Sequence, residues 1–398
     1  MSDFAQNETI CTLQGLNHEH LQEIDQRLLP EIANSTPITL VLPCHAADLR
    51  NPALTSICTE LSKAKWLQSV LVPLNGLDLQ EFSEASTFFS RVLGVQHTLL
   101  HVDSPRYLDA LSDAADVPAE SLQKGKGLNV WAAVGLHFAQ RGGGIVALQD
   151  ADVVSFNRPI LARMCIACAN PEWGFDFAKM YYSRATDRLY GRVSRLFLSP
   201  LLHALIDVCG HLPLLDFLRG FRYPLSGECA MSTDLAGALQ FQAGWGLEIG
   251  MLSEVFREVD PTRIAQVDGG SGYDHKHQPA EASLKRMCAE IAGTLLEQLS
   301  IEGCRVSGRL ADSLARAMET EAAEAVRRSK ILAQINGFPF EVEPETALSK
   351  LFLGSLQGLP ESARAQTLPS WQTVERLRPE AIIKLREVTE SASYSPVG

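Results

Sequence analysis

Between residues 38 and 148, short runs of β-forming residues alternate with stretches of helical periodicity, and this alternation narrows the possible folds more than any other feature of the chain. The β-type runs are 38–43, 69–74, 97–102 and 145–148; helical patterns fill the intervals through Leu54, Ile57, Leu61 and Leu67, then over 81–92 and 128–139. Runs this apolar suit strands covered on both faces, and strands separated by helices pair in parallel. The expected fold class is therefore α/β, with a mainly parallel central sheet. In such sheets ligands bind at the carboxyl ends of the strands.

The last run, Gly144-Ile145-Val146-Ala147-Leu148-Gln149, delivers Asp150-Ala151-Asp152 to that edge. Two carboxylates one residue apart can share a hard divalent cation, and the cation can hold a diphosphate. Taken alone, the pair reads equally well as a helix cap or a solvated loop. Three further segments add weight. Gly125-Lys126-Gly127, with Lys124 before it and a helical pattern after it, combines close backbone approach, free N–H groups and a cation, although an ordinary exposed turn has the same composition and the Walker A spacing is missing. Arg184, Arg188, Arg192 and Arg195 are spaced for one helical face with Gly191 and Ser194 between them, which suits a phosphate or carboxylate. Singly, Arg184, Arg188 and Arg195 read more plainly as a solvated basic face paired with acids such as Asp187. Finally, Asp274-His275-Lys276-His277 follows a Gly-rich stretch, and a loop histidine can complete a site begun by carboxylates. His277 reads as a surface residue.

Charge excludes some partners. Lys and Arg number 35 against 47 Asp and Glu, giving −12, so the surface as a whole repels nucleic acid and anionic membranes, and an anionic substrate needs locally concentrated basic groups. Nine cysteines without framework spacing, and no leader-like start, point to a reducing cytoplasm. Cys165-Ile166-Ala167-Cys168 lacks a second ligand pair and reads as helix packing. The apolar stretch 197–218 is interrupted by Pro200, His203, Asp207, His211, Pro213 and Asp216, so a buried or subunit-interface helix is expected rather than a membrane span.

After residue 280 the pattern is helical, over 282–299, 310–335, 346–356 and 371–388, without strand runs and with a mobile tail. The expected organisation is an extension over 1–35, a ligand-binding domain over 36–280 and a helical region over 281–398.

Three ordered motifs carry a family resemblance: Tyr223-Pro224-Leu225-Ser226-Gly227-Glu228-Cys229-Ala230, Gly244-Trp245-Gly246-Leu247-Glu248-Ile249-Gly250 and Ile264-Ala265-Gln266-Val267-Asp268, followed by His275-Lys276-His277-Gln278. Over about residues 120–290 the chain resembles the glucosyl-3-phosphoglycerate synthases, retaining glycosyltransferases of the GT-A fold. The resemblance implies that Asp152 and His275 bind Mg²⁺ or Mn²⁺ with Asp150 beside them, and that Lys126, Asp150, Leu225 and Gly227 serve the donor. It places the acceptor at Gly191, Arg192, Ser194 and Ser226, and Glu248 where an acidic residue faces the transferred sugar. Glu248 is also readable as a buried carboxylate capping backbone N–H groups. The first strand ends in Cys44-His45-Ala46-Ala47-Asp48 where the family has an Asn-Glu-Glu type segment, and 72–76 lack its aspartate and serine, which leaves a UDP, GDP or ADP donor open.

The function expected is transfer of glucose from a nucleoside diphosphate to the 2-hydroxyl of 3-phosphoglycerate, a step toward the compatible solute glucosylglycerate, by a homodimer. Mannose as the sugar, unphosphorylated glycerate as acceptor, or a non-catalytic nucleotide-sugar sensor are the rival readings. A nucleotidyltransferase is disfavoured, because Pro43-Cys44-His45 does not resemble its Gly-rich loop.

Overall fold

The computed structural model describes residues 10–272, 281–356 and 366–393. A nine-stranded sheet forms its centre, in the order β1-β10-β7-β8-β6-β2-β4-β3 with β5 on β4. Its strands are β1 (Cys11–Leu13), β2 (Ile38–Val41), β3 (Cys44–His45), β4 (Leu67–Asn75), β5 (His97–His101), β6 (Ile145–Leu148), β7 (Phe177–Ser183), β8 (Cys229–Ser232) and β10 (Ile264–Ser271). All pair in parallel except β8, which runs antiparallel between β6 and β7. The sheet is thus mainly parallel, as the alternation implied.

Successive strand residues feed two cores. Val41, Leu71, Val146 and Leu148 face one side, whereas Leu40, Val70, Ile145 and Ala147 face the other. Helices Pro52–Leu61 and Arg158–Ala169 cover the second face, and Lys126–Ala139 covers the first. Cys165 and Cys168 are buried free thiols in helix packing.

Several expectations shift. The pattern 54–67 divides, since the helix stops at Leu61 and Leu67 already belongs to β4. The stretch 197–218 buries its phenylalanines and most of its leucines while Asp207, His211 and Asp216 stay exposed, and it forms two helices, Ser199–Cys209 and Pro213–Gly220, separated at Gly210, whose φ is +82°. The pattern 371–388 likewise breaks at Pro379 into Trp371–Leu377 and Pro379–Ser393. Within the extension, 11–13 supply an edge strand on β10. The terminal residues 394–398 lie outside the described residues.

The segment after 280 is helical over Glu281–Ile301, Arg309–Ile335 and Val342–Gly354, but it also contains a strand, β11 (Thr367–Leu368), antiparallel to β9 (Phe241–Gln242). It packs into the first core. Trp371 stacks on Trp131 with ring centroids 4.4 Å apart, and each indole N–H meets a carbonyl of the opposite segment: Trp131 Nε1 donates to Pro369 O at 2.8 Å, and Trp371 Nε1 to Trp131 O at 2.9 Å. This clamp fixes the helix that begins at Lys126. Among the described residues no helix is long and apolar enough to cross a membrane.

Candidate active site

A cleft of about 1370 Å³ opens at the carboxyl ends of the parallel strands. Pro43, Cys44 and His45 follow β2, Asn75 ends β4, Asp150 and Asp152 follow β6, and Arg184 follows β7. Helices Glu281–Ile301 and Val342–Gly354 wall the far side with Arg286, Met287, Leu348 and Lys350. The site therefore draws on both the sheet and the C-terminal helices.

Lys126 stands at the centre of the sequence-derived set. Its Nζ lies 2.6 Å from Asp150 Oδ1 and 3.0 Å from Glu248 Oε1, with side chains 24%, 19% and 11% exposed. Burial alone would lower the Lys126 pKa, but the two carboxylates outweigh it and hold the ammonium well above its ordinary range. Three groups widely separated in sequence thus meet at one cation. Glu248, in the first turn of Leu247–Glu258, faces the cleft rather than capping backbone groups, since Lys126 is the hydrogen-bond partner of its carboxylate among the described residues.

The glycines of 125–127 are also needed for packing. A side chain at Gly127 would overlap the Gln242 carbonyl, and one at Gly125 would press on that of Ala243. Helix Lys126–Ala139 therefore sits directly on β9, and Leu128 N donates to Ala243 O at 3.2 Å. Since β9 runs on through Gly244-Trp245-Gly246 into the helix carrying Glu248, this close packing sets Lys126 against Glu248. Glu290 secures the turn between them, accepting from Trp245 N at 2.8 Å.

Asp150 is backed by Gly227, where a methyl group would fall 2.5 Å from the Asp150 Cγ. Leu225 lines the cleft. Ser226 does not: it is fully buried, its hydroxyl donates to Met180 O at 2.5 Å, and its carbonyl accepts from the buried Lys179 at 2.7 Å. The expectation of an acceptor contact through the Ser226 side chain is corrected accordingly. Strand β7 claims its polar atoms. Beneath Asp150, the fully buried Glu228 accepts from Tyr182 Oη at 2.9 Å and Gln149 Nε2 at 3.2 Å. Desolvation lowers the Lys179 pKa.

The four arginines do not share a helical face. Arg184 leaves β7, Arg188 sits at the tip of a hairpin bridged by Ala185 and Leu189, and helical backbone resumes only after Gly191, whose φ is +65°. Arg188 pairs with Asp187 at 3.1 Å on an exposed face. Gly191, Arg192 and Ser194 do line the cleft together. Arg184 reaches it too, with Nε buried and lacking a hydrogen-bond partner among the described residues; Arg184 and Ser194 converge on the Tyr223 hydroxyl. Burial raises the Tyr223 pKa, against the pull of Arg184.

His275 and His277 lie outside the described residues. Among those described, no three His, Cys, Asp or Glu residues converge as a metal cluster. Asp150 and Asp152 nevertheless fit a hard cation in kind, because Mg²⁺ is commonly held by one or two carboxylates, with substrate phosphates and water completing the shell. Several wall residues were not anticipated from sequence. Trp245 (41% exposed), Arg286 and Lys350 come from segments whose periodicity marks them only as helix or turn, as does the buried Glu345, which pairs with Arg192 without lining the cleft itself. The Gly-Trp-Gly motif was the one signal available for Trp245.

No family profile matches the chain. It is 31% identical over 399 residues to glucosyl-3-phosphoglycerate synthase of Persephonella marina, covering 98% of each sequence, and 34% identical over 248 residues to the enzyme of that name from Methanococcoides burtonii, covering 61% of this chain and 60% of that one. Among solved structures, glucosyl-3-phosphoglycerate synthase from Mycobacterium tuberculosis, in complex with Mn²⁺, UDP-glucose and phosphoglyceric acid, aligns with TM-score 0.52 and 23% identity over 73% of this chain and 88% of that one. Mannosyl-3-phosphoglycerate synthase from Rubrobacter xylanophilus aligns with TM-score 0.54 and 20% identity over 74% and 82%.

Proposed function

The chain belongs to the glucosyl-3-phosphoglycerate synthase family of GT-A glycosyltransferases, and from that premise we propose that it transfers glucose from a nucleoside diphosphate to the 2-hydroxyl of 3-phosphoglycerate with retention at the anomeric carbon. The observation that carries this reading is the Lys126 ammonium, held between Asp150 and Glu248 in a cleft that Arg192 lines. In the reaction, the bond from the anomeric carbon to the diphosphate oxygen breaks, the acceptor oxygen bonds to that carbon from the same face, and the hydroxyl proton passes to the departing phosphate.

Negative charge grows on the leaving diphosphate, and Lys126, already cationic and in place, offsets it without reorganisation. Glu248 stabilises the electron-poor sugar, and Asp150 holds Lys126 while facing the nucleotide. Leu225 and Gly227 shape the sugar pocket. Gly191, Arg192 and Ser194 receive the acceptor, with Arg192 reading its phosphate. Asp152 and His275 would hold Mg²⁺ or Mn²⁺, which supplies further charge neutralisation at the diphosphate when bound.

Purified protein assayed with UDP-, GDP- and ADP-glucose and with a mannose donor, each with 3-phosphoglycerate, glycerate or no acceptor, tests the reading. Glucosyl-3-phosphoglycerate formed from at least one glucose donor is the expected product; binding without turnover in every combination would leave only a nucleotide-sugar sensor. Chelator should abolish activity, Mg²⁺ or Mn²⁺ should restore it, and Asp152→Ala should stay inactive throughout. We also read 36–280 as the catalytic domain, 281–398 as a region completing its wall, and the working unit as a homodimer. Light scattering of the active protein checks the last point.

A further inference from the structure

We propose that Glu345, on the C-terminal helix Val342–Gly354, is a positioning residue that pre-sets Arg192 for the acceptor phosphate; this rests on the reading of Arg192 given above. Glu345 is a carboxylate only 7% exposed, and such a group is stable in the interior only when paired. Its two oxygens serve two arginines: Oε1 accepts from Arg192 Nε at 3.0 Å, and Oε2 lies 2.5 Å from Arg195 Nη1.

The two arginines differ. Arg195 is tied on other sides as well, donating from Nε to Tyr190 O at 3.0 Å and from Nη1 to Ser329 Oγ at 3.1 Å. It is a fixed strut joining the 189–190 turn, helix Arg309–Ile335 and Glu345. Arg192 is 38% exposed, lines the cleft, and among the described residues forms no hydrogen bond from either Nη. Glu345 therefore holds the inner, Nε side of the Arg192 guanidinium and leaves its outer edge, with two parallel N–H groups, for a phosphate.

A long side chain ordered before the ligand arrives loses less entropy on binding, so the contact should act on acceptor affinity. Since Arg195 and the helix keep Glu345 in place, the phosphate has no need to displace it. The outcome is directional: removing the Glu345 charge weakens acceptor binding, whereas a competing carboxylate would strengthen it on removal.

The test measures steady-state kinetics of Glu345→Gln, Glu345→Asp, Arg192→Ala and the Arg192→Ala/Glu345→Gln double variant, with acceptor and donor varied separately. Glu345→Gln should raise the KM for 3-phosphoglycerate about tenfold, with kcat and donor KM within about twofold of the parent. Glu345→Asp keeps the charge and should show a smaller rise. In the Arg192→Ala background Glu345→Gln should add nothing, because it acts through the missing guanidinium. An unchanged or lowered acceptor KM in Glu345→Gln, or a loss of kcat alone, overturns the proposal while leaving the Arg192 assignment intact. If Arg192→Ala itself leaves acceptor KM unchanged, the acceptor reading fails first and the proposal with it. Should Glu345→Gln not fold, Glu345→Asp decides, and an unchanged acceptor KM there overturns the proposal.

Discussion

Gly227→Ala offers a stringent test of the site, because the glycine lies outside the charged cluster but directly behind it. The added methyl would sit 2.5 Å from Cγ of Asp150, where carbon atoms normally approach no closer than about 3.5 Å. Either Asp150 moves by about 1 Å or the 223–227 segment does, and that segment is held from below by Lys179 and the Ser226 hydroxyl. The carboxylate end is the softer element. A shift of that size breaks its 2.6 Å contact with Lys126, a charge-assisted hydrogen bond worth about 1.5–3 kcal/mol in a largely enclosed setting. A misplacement of about 1 Å in a positioned group can cost about 10²-fold in rate. Gly227→Ala should therefore lose about 10²-fold in kcat/KM for the donor and about 1–3 kcal/mol in stability, with acceptor KM little changed. Donor-varied kinetics paired with urea denaturation check both. A folded variant with donor kcat/KM within about twofold of the parent would refute the claim that Asp150 must hold Lys126 where it is.

While Asp150 and Glu248 are ionised, the raised pKa of Lys126 makes its stabilising effect present up to the ordinary lysine value near 10.5 and lost only as pH climbs through the higher folded value. Between about pH 6 and 9 the urea midpoints of the parent and Lys126→Met should thus differ by a constant amount, while the variant loses about 10²–10³-fold in kcat. His137 runs the other way. Burial lowers its pKa from 6.5 to about 4, so its neutral form stabilises the fold above pH 6.5, and that contribution fades as pH falls toward 4. The total is about 3 kcal/mol, and a His137→Gln variant should show a flatter stability profile across that window. Trp371→Ala removes the stacked partner of Trp131 and should cost about 3–5 kcal/mol by calorimetry or denaturation, with a smaller effect on activity at low temperature.

Strands β2 and β6 were legible because a parallel strand covered on both faces is apolar along its length, and the residues that follow them face the cleft; β4 and β5 were legible from shorter apolar runs within them. Asp150 and Asp152 follow from that rule. β8 escaped because Cys229-Ala230-Met231-Ser232 is short and weakly β-forming, and only its neighbours β6 and β7 hold it extended. β11 escaped for the same reason. Ser226 was misjudged because a motif gives residue order without giving side-chain direction; β7 turns that hydroxyl inward.

The sequence by itself determined the α/β class, the acidic strand end and the identity of Lys126, Glu248 and Arg192 as candidates. These follow from local pattern and from motif order, which the chain carries within a few tens of residues. Only the tertiary structure decided that Lys126 lies between Asp150 and Glu248, 24 and 122 positions away, and that Glu345 supports Arg192 from 153 positions away. Ion-pair partners are chosen by distance in space, and helix packing sets that distance. No periodicity along the chain records which charges will meet.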